Sequence, residues 1–200
     1  MENDKLKIDF CEFSKESACY IIEPSDIPNI DLYMDQVTTF MDEHLAGTKR
    51  RDEDKILKKT MINNYSKNNL LPPSVKKKYS KEHVLLLIFI YYFKSILSIK
   101  DIETVLAPLR DKYFSDEAAL SLSELYTEVC KLEKSRIKPL SESVQEAYES
   151  SFSAFSNIED DADQKELRLF AFICSLSFDV YLKKVMIEKI IDELSAQKED

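Results

Sequence analysis

The sequence contains a single glycine and six prolines, which are too few turn-forming residues for the many hairpins of an all-β protein. Leu, Lys, Glu, Ile and Ser are abundant instead. Because apolar residues make up 44% of the 200 positions, the chain can bury a core, and disorder of the whole chain is excluded. The composition predicts a mostly α-helical protein of one moderate domain or two small ones.

Cysteines and long apolar runs are also scarce. The four cysteines are too scattered for a disulfide framework or for metal-ligand spacing: Cys11, Cys19, Cys130 and Cys174. The longest apolar run, VLLLIFIYYF at 84–93, is well short of the roughly 20 residues that cross a bilayer, so it predicts a buried helix. The acidic, mixed N-terminus lacks the basic and apolar parts of a secretory signal. We therefore expect a cytoplasmic protein with reduced thiols and no membrane contact.

Residues that commonly support catalysis are few. Only His44 and His83 are present, and one glycine excludes a glycine-rich phosphate loop of the usual form. The acidic cluster at 159–163 lacks the glycine and the distal Glu of an EF-hand loop, so a solvated loop is expected there. We expect no enzymatic activity, no cofactor and no metal.

Positive charge is concentrated in one segment of an acidic chain whose net charge is -9. Residues 48–81 hold 11 Lys/Arg against 3 Asp/Glu, whereas residues 1–47 hold 3 against 11 and residues 111–200 hold 11 against 20. Such a segment is either an ordinary solvated surface or a binding surface for a polyanion, and charge alone does not distinguish them.

Helical periodicity is present before the basic segment and within it. Apolar residues at helical spacing predict a first helix from about residue 30 to Gly47 and a second from about Lys55 to Asn69. At 100° per residue, one side of the second helix carries apolar residues, namely Leu57, Met61, Ile62 and Tyr65. The opposite side carries cationic and polar residues, namely Lys59, Thr60, Asn63 and Lys67.

A double proline ends this helix, and an extended ribbon, SVKKKYS, follows it. Ser80 is the expected N-cap of a helix over 81–96. Four further helices are predicted over about 99–110, 116–136, 140–155 and 163–194, with breaks at Pro139 and at the acidic loop.

This order of elements resembles the winged helix-turn-helix of the MerR family of bacterial transcription regulators. The residues that carry the resemblance are Tyr65, Leu70, Leu71, Pro72 and Pro73 at the end of the recognition helix, Tyr79 and Ser80 closing the wing, and the apolar positions of the next helix. With DLYMDQVTTF and KKTMINNYSKNNLLPPSVKKKYSKEH, the chain is more specifically similar to domain-of-unknown-function family 1836, over roughly residues 26–106. Asn63 stands where MerR proteins usually have Arg, and the wing is short and has no glycine.

The resemblance implies a mostly all-α, MerR-like helix-turn-helix with a short wing and a C-terminal helical bundle. The implied organisation is an unassigned segment at 1–25, a helix-turn-helix module at 26–110 and a helical region at 111–200. The implied function is binding of double-stranded DNA by a transcription regulator. The residues expected to contact DNA are Lys58, Lys59, Thr60, Asn63, Asn64, Lys67, Lys76, Lys77, Lys78 and Tyr79.

The apolar run at 84–93 must be covered on every side. We expect residues 111–200, especially the helix at 166–194, to cover this helix or the same helix of a partner copy. We expect this region also to join two copies in a homodimer. The alternative function is a protein-interaction adaptor or RNA binder, which the acidic flanks favour. Carboxylates packed over Lys59 and Lys76 would favour this alternative, whereas an isolated positive patch would favour DNA.

Overall fold

Six helices and two very short strands make up the part of the chain that the structure describes, namely residue 12, residues 20–114 and residues 120–197 of a computed structural model. The helices are α1 (Met34–His44), α2 (Lys59–Lys67), α3 (Lys81–Phe93), α4 (Ile99–Tyr113), α5 (Leu122–Ser151) and α6 (Asp161–Ala196), the strands are β1 (Leu32–Tyr33) and β2 (Lys78–Tyr79), and single 3-10 turns occupy Pro24–Asp26 and Ala46–Thr48. The predicted mostly all-α fold class is confirmed.

The described residues divide into two compact units. The N-terminal unit comprises residues 20–133 together with 188–197, and the C-terminal unit comprises residues 134–187 with residue 12. The sequence predicts a boundary near residue 110. The division between the two compact units falls inside α5, whose first turns pack into the core of the N-terminal unit.

Helix α3 is the centre of that core. All residues from His83 to Ile90 are buried, as the uninterrupted apolar run predicted. Ser80 is the N-cap, as expected, but the residue that completes the capping box is His83, whose Nδ1 accepts the Ser80 backbone N–H at 3.0 Å. The helix ends at Phe93, three residues earlier than predicted.

Helices α4 and α5 cover α3. Ile102 and Leu106 of α4 are buried in the same core, and the Tyr126 ring of α5 meets the Phe89 ring edge-on at a centroid distance of 5.6 Å. The Tyr126 hydroxyl also donates to the Ile22 carbonyl at 2.7 Å, which ties α5 to the start of the described chain. The first turns of α5 thus supply part of the C-terminal cover that the sequence predicts for α3, through Leu122, Tyr126 and Cys130.

Helix α5 continues through the break that the sequence predicted at Pro139. A proline removes one helical hydrogen bond and clashes with the carbonyl four residues earlier. Here residues 138–140 are exposed, and the helix continues on both sides of the proline. The predicted start of this helix at Asp116 lies outside the described residues.

The acidic loop before α6 is solvent-exposed, as expected, and it also caps the helix. The Asp160 carboxylate accepts the backbone N–H groups of Ala162 and Asp163 at 2.9 and 3.0 Å. A carboxylate at this position satisfies free N–H groups and the positive end of the helix dipole. No helix among the described residues has the length and apolar character needed to span a bilayer.

Candidate nucleic-acid interface

Helix α2 presents one buried and one exposed face, in the orientation that its sequence predicts. Ile62 and Tyr65 are buried, and Leu57, just before the helix, is buried as well. Lys59, Asn63 and Lys67 are exposed on the opposite side, four residues apart. The predicted exposed positions Lys58, Thr60 and Asn64 are exposed too. The buried face fixes the helix against the core and leaves a row of cationic and amide groups in solvent.

The C-terminal end of α2 is held by a Schellman motif. Asn69 adopts a left-handed φ of 56°, and the Leu70 N–H donates to the Tyr65 carbonyl at 2.9 Å. The Arg110 guanidinium of α4 donates to the Asn69 carbonyl. Sequence reasoning did not identify this role of Arg110, because the two residues lie 41 positions apart and no local pattern joins them.

The predicted ribbon folds as a tight hairpin. Val75 and Lys78 exchange both backbone hydrogen bonds, at 3.0 and 2.9 Å, which leaves only Lys76 and Lys77 in the turn. Both turn residues have positive φ, 50° and 65°, which is characteristic of a type I′ turn. This turn usually requires glycine or asparagine, so two lysines occupy positions that are strained for them. Both lysine side chains are exposed at the tip.

A short antiparallel sheet anchors the hairpin. Leu32 of β1 pairs with Tyr79 of β2, and Tyr33 pairs with Lys78. The Lys78 ammonium lies 5.4 Å from the centroid of the Tyr33 ring, an exposed aromatic, and Lys78 is half-buried. The hairpin lysines are therefore not equivalent, because Lys78 packs on the protein whereas Lys76 and Lys77 extend from it.

The structure corrects the position expected for Tyr79. Its side chain is only 5% exposed, and its ring lies edge-on to the His83 ring at a centroid distance of 5.5 Å. The sequence match to a wing-closing Tyr-Ser pair did not reveal that the tyrosine faces inward. Tyr79 is a core residue that positions the hairpin, and it is not available for a surface contact.

His83 lies directly behind the hairpin. Its imidazole is buried between Tyr79 and Phe114, and its Nε2 has no hydrogen-bond partner among the described residues. Burial lowers the pKa of His83, although the Pro73 carbonyl and the Glu82 charge oppose this shift. The acceptor role of Nδ1 toward the Ser80 N–H likewise requires a neutral ring.

The cations of this surface are not neutralised by carboxylates in the part of the chain that the structure describes. Lys59, Lys67, Lys76 and Lys77, together with Lys58, form no ion pair with any described carboxylate. The predicted contacts other than Tyr79 thus lie on two exposed elements, α2 and the hairpin, which meet the same core.

The two adjacent asparagines of α2 differ in their availability. The Asn64 side-chain oxygen accepts a hydrogen bond from the Asn68 amide at 3.2 Å, and the same Asn68 amide donates to the Asn64 carbonyl at 2.8 Å. The Asn63 side chain has no hydrogen-bond partner among the described residues. Asn63 therefore has its full donor and acceptor capacity free for another molecule.

Comparison with known proteins identifies one family. The family described as domain of unknown function (DUF1836) matches residues 22–129, which is more than half of the chain. This range runs from Ile22 through the whole of α1–α4 to Val129, in the first third of α5, and includes both exposed basic elements. No curated protein and no solved structure matches the chain.

Proposed function

This chain belongs to the DUF1836 family, and from the geometry of its basic surface we propose that it binds double-stranded DNA as a transcription regulator. In this proposal the module is a MerR-like winged helix-turn-helix. Helix α2 is the recognition helix, and the hairpin at residues 75–78 is a minimal wing. The protein acts in the cytoplasm without enzymatic activity.

The observation that carries the proposal is the set of exposed lysines that form no ion pair with a described carboxylate. A protein that used this surface only as a solvated face could neutralise it with its many carboxylates, since Asp and Glu outnumber Lys and Arg by 37 to 28. No described carboxylate pairs with Lys59 or Lys76. The surface therefore stays positive in an acidic protein and can attract phosphates.

The two elements supply the two kinds of contact that DNA recognition needs. Lysines of the hairpin tip and of the start of α2 suit the phosphate backbone, which provides affinity without sequence information. The free Asn63 amide can pair bidentately with adenine, and Lys59 and Lys67 can contact guanine in the major groove. The Asn64 side-chain oxygen is hydrogen-bonded to the Asn68 amide, so Asn64 contributes less to base recognition.

We propose that the active species is a homodimer joined through the C-terminal unit. Several large apolar side chains of this unit are at least half exposed, namely Phe170, Ile173, Phe178, Val180, Tyr181, Leu182 and Met186. Exposed apolar patches of this kind mark interaction surfaces. Two recognition helices held about 34 Å apart would contact successive major grooves.

The salt dependence of DNA affinity tests the proposal. If five or six lysines contact phosphates, log K should fall with log[salt] with a slope of about -5, at about -0.9 per contact. Fluorescence anisotropy with a labelled duplex measures this slope. The double substitution Lys76→Gln/Lys77→Gln should reduce its magnitude by about 2, whereas Lys100→Gln, an exposed lysine of α4, should leave it unchanged. A slope near zero for the unmodified protein would exclude DNA binding through this surface.

The second candidate function is a protein-interaction adaptor or RNA binder. The exposed apolar residues of α6 favour it, because they offer a docking surface that does not require DNA. Single-stranded RNA and duplex DNA of equal length, compared in the same assay, separate the two. An RNA preference, or the absence of binding to either, would favour the second candidate.

A further inference from the structure

A second basic site lies in the N-terminal unit, in a cleft at the start of α2. The cleft has a volume of about 560 Å³ and is bounded by the 48–58 connector, the first turn of α2 and the end of α3. Four lysines line it, namely Lys49, Lys55, Lys58 and Lys94. Of the four, only Lys58 also belongs to the proposed DNA-binding surface.

Lys94 is the least expected of these cations. It is half-buried, its Nζ donates to the Ile56 carbonyl at 2.9 Å, and it lies 4.4 Å from the centroid of the Tyr91 ring. Desolvation lowers the pKa of Lys94, and none of the described carboxylates forms an ion pair with it. Burial of an ammonium without a counter-ion is unfavourable, and an anion in the cleft would supply one.

The acidic groups around the cleft leave a surplus of positive charge. Asp42 is engaged by Lys49 at 3.0 Å. Asp54, the one carboxylate among the described residues that line the cleft, accepts the Arg51 backbone N–H at 3.1 Å. Lys55 and Lys58 are exposed and form no ion pair with a described residue. Asp54 keeps its negative charge and the Asp42 charge interacts with Lys55, so Lys55, Lys58 and Lys94 together leave the cleft with a net positive charge.

The remaining walls suit an organic molecule. Ile56, Met61 and the Tyr91 ring give the cleft an apolar side. Lys58 is the N-cap residue of α2 and makes no side-chain capping hydrogen bond, so the positive end of the nine-residue helix borders the same space. Helix N-termini favour anions, and lysines bind phosphate as point charges.

From this arrangement we infer that the cleft binds a small phosphorylated molecule, with its phosphate among Lys55, Lys58 and Lys94 and its organic part against Met61 and Tyr91. The site is distinct from the DNA surface in chemistry, since it combines a confined volume with apolar walls. Its occupancy requires no DNA.

Isothermal titration of the full-length protein with inorganic pyrophosphate, without DNA and at constant low ionic strength, tests the inference. Saturable binding with one site per chain is expected. A charge-assisted hydrogen bond contributes roughly 1.5–3 kcal/mol, so Lys94→Met should raise Kd by about tenfold or more. Lys55→Gln, an exposed substitution that leaves the core intact, should raise Kd by about three- to tenfold.

Lys77→Gln is the matched control, because it removes the same charge from the hairpin tip and should change Kd by less than about twofold. Two results would overturn the inference. One is an equal loss of pyrophosphate affinity in Lys55→Gln and Lys77→Gln, and the other is non-saturable binding that added sodium chloride abolishes. A protein that fails to bind DNA would still bind pyrophosphate if the cleft acts as proposed. If the protein binds DNA but not pyrophosphate, the inference about the cleft is refuted and the proposal of DNA binding is not.

Discussion

The two-lysine turn of the hairpin gives a prediction in which stability and binding change in opposite directions. Lys76 and Lys77 have φ values of 50° and 65°, a conformation that costs an L-residue with a Cβ roughly 1–2 kcal/mol. Asn-Gly is the preferred pair for a type I′ turn. Replacing both residues by Asn-Gly should therefore stabilise the fold, although the extra freedom of glycine in the unfolded chain offsets about 0.5–1 kcal/mol of the gain.

The net expectation is an increase of about 1 kcal/mol in the free energy of unfolding, or about 2–4 °C in Tm for a chain of this size. Lys76→Gln/Lys77→Gln is the matched control, since it removes the same two charges and keeps the strain. Urea and thermal denaturation followed by circular dichroism measure the stability of both variants. Fluorescence anisotropy measures their affinity for duplex DNA.

Both double variants should lose DNA affinity to a similar extent, with salt slopes reduced by about 2. Only the Asn-Gly variant should be more stable than the unmodified protein. If it is no more stable than the glutamine variant, the strain argument is wrong. If it gains stability and keeps its full DNA affinity, the hairpin lysines do not contact phosphates.

Three further predictions address the remaining features. Because burial lowers the pKa of His83 below its usual 6.5, its contribution to the free energy of unfolding should be complete above about pH 6.5 and should decrease as the pH falls from there to the folded-state pKa. His83→Gln preserves a Ser-x-x-Gln capping box and should make the urea midpoint less dependent on pH across this range. A pH dependence equal to that of the unmodified protein would contradict the prediction. Asn63→Ala should reduce the difference in binding free energy between specific and random DNA by roughly 1–3 kcal/mol, while Lys77→Ala should weaken binding to both DNAs equally. If anisotropy shows the same effect for both variants, Asn63 does not contact bases. Light scattering at low micromolar concentration should show a dimer, and the double substitution Phe178→Glu/Tyr181→Glu should dissociate it. A 23.3 kDa monomer that still binds a palindromic DNA site tightly would refute the dimer.

Local sequence patterns determined the individual helices and their faces. The 3.6-residue period oriented α2 with Ile62 and Tyr65 inward and Lys59, Asn63 and Lys67 outward, because amphipathic spacing depends only on residues a few positions apart. The apolar run likewise identified α3 as a buried helix. Ser80 was recognisable as a cap for the same reason.

Helix breaks were less predictable from sequence. Proline disfavours a helix interior, but whether it ends the helix depends on how much the surrounding hydrogen bonds and packing stabilise continuation. Pro139 therefore remains within the 30-residue α5, although local propensity indicated a break. The point at which the two compact units divide is likewise not marked by a local pattern, since it depends on which turns of α5 pack against α3.

The composition of the basic surface was set by sequence, whereas its availability was decided by tertiary structure. Eleven cations within residues 48–81 could be counted directly. Only the folded chain shows that Tyr79 faces the core and Lys78 packs on Tyr33, while Lys76 and Lys77 occupy a strained turn. The cleft containing Lys94 likewise brings together residues more than 40 positions apart, because such proximity depends on how helices pack and not on any local period.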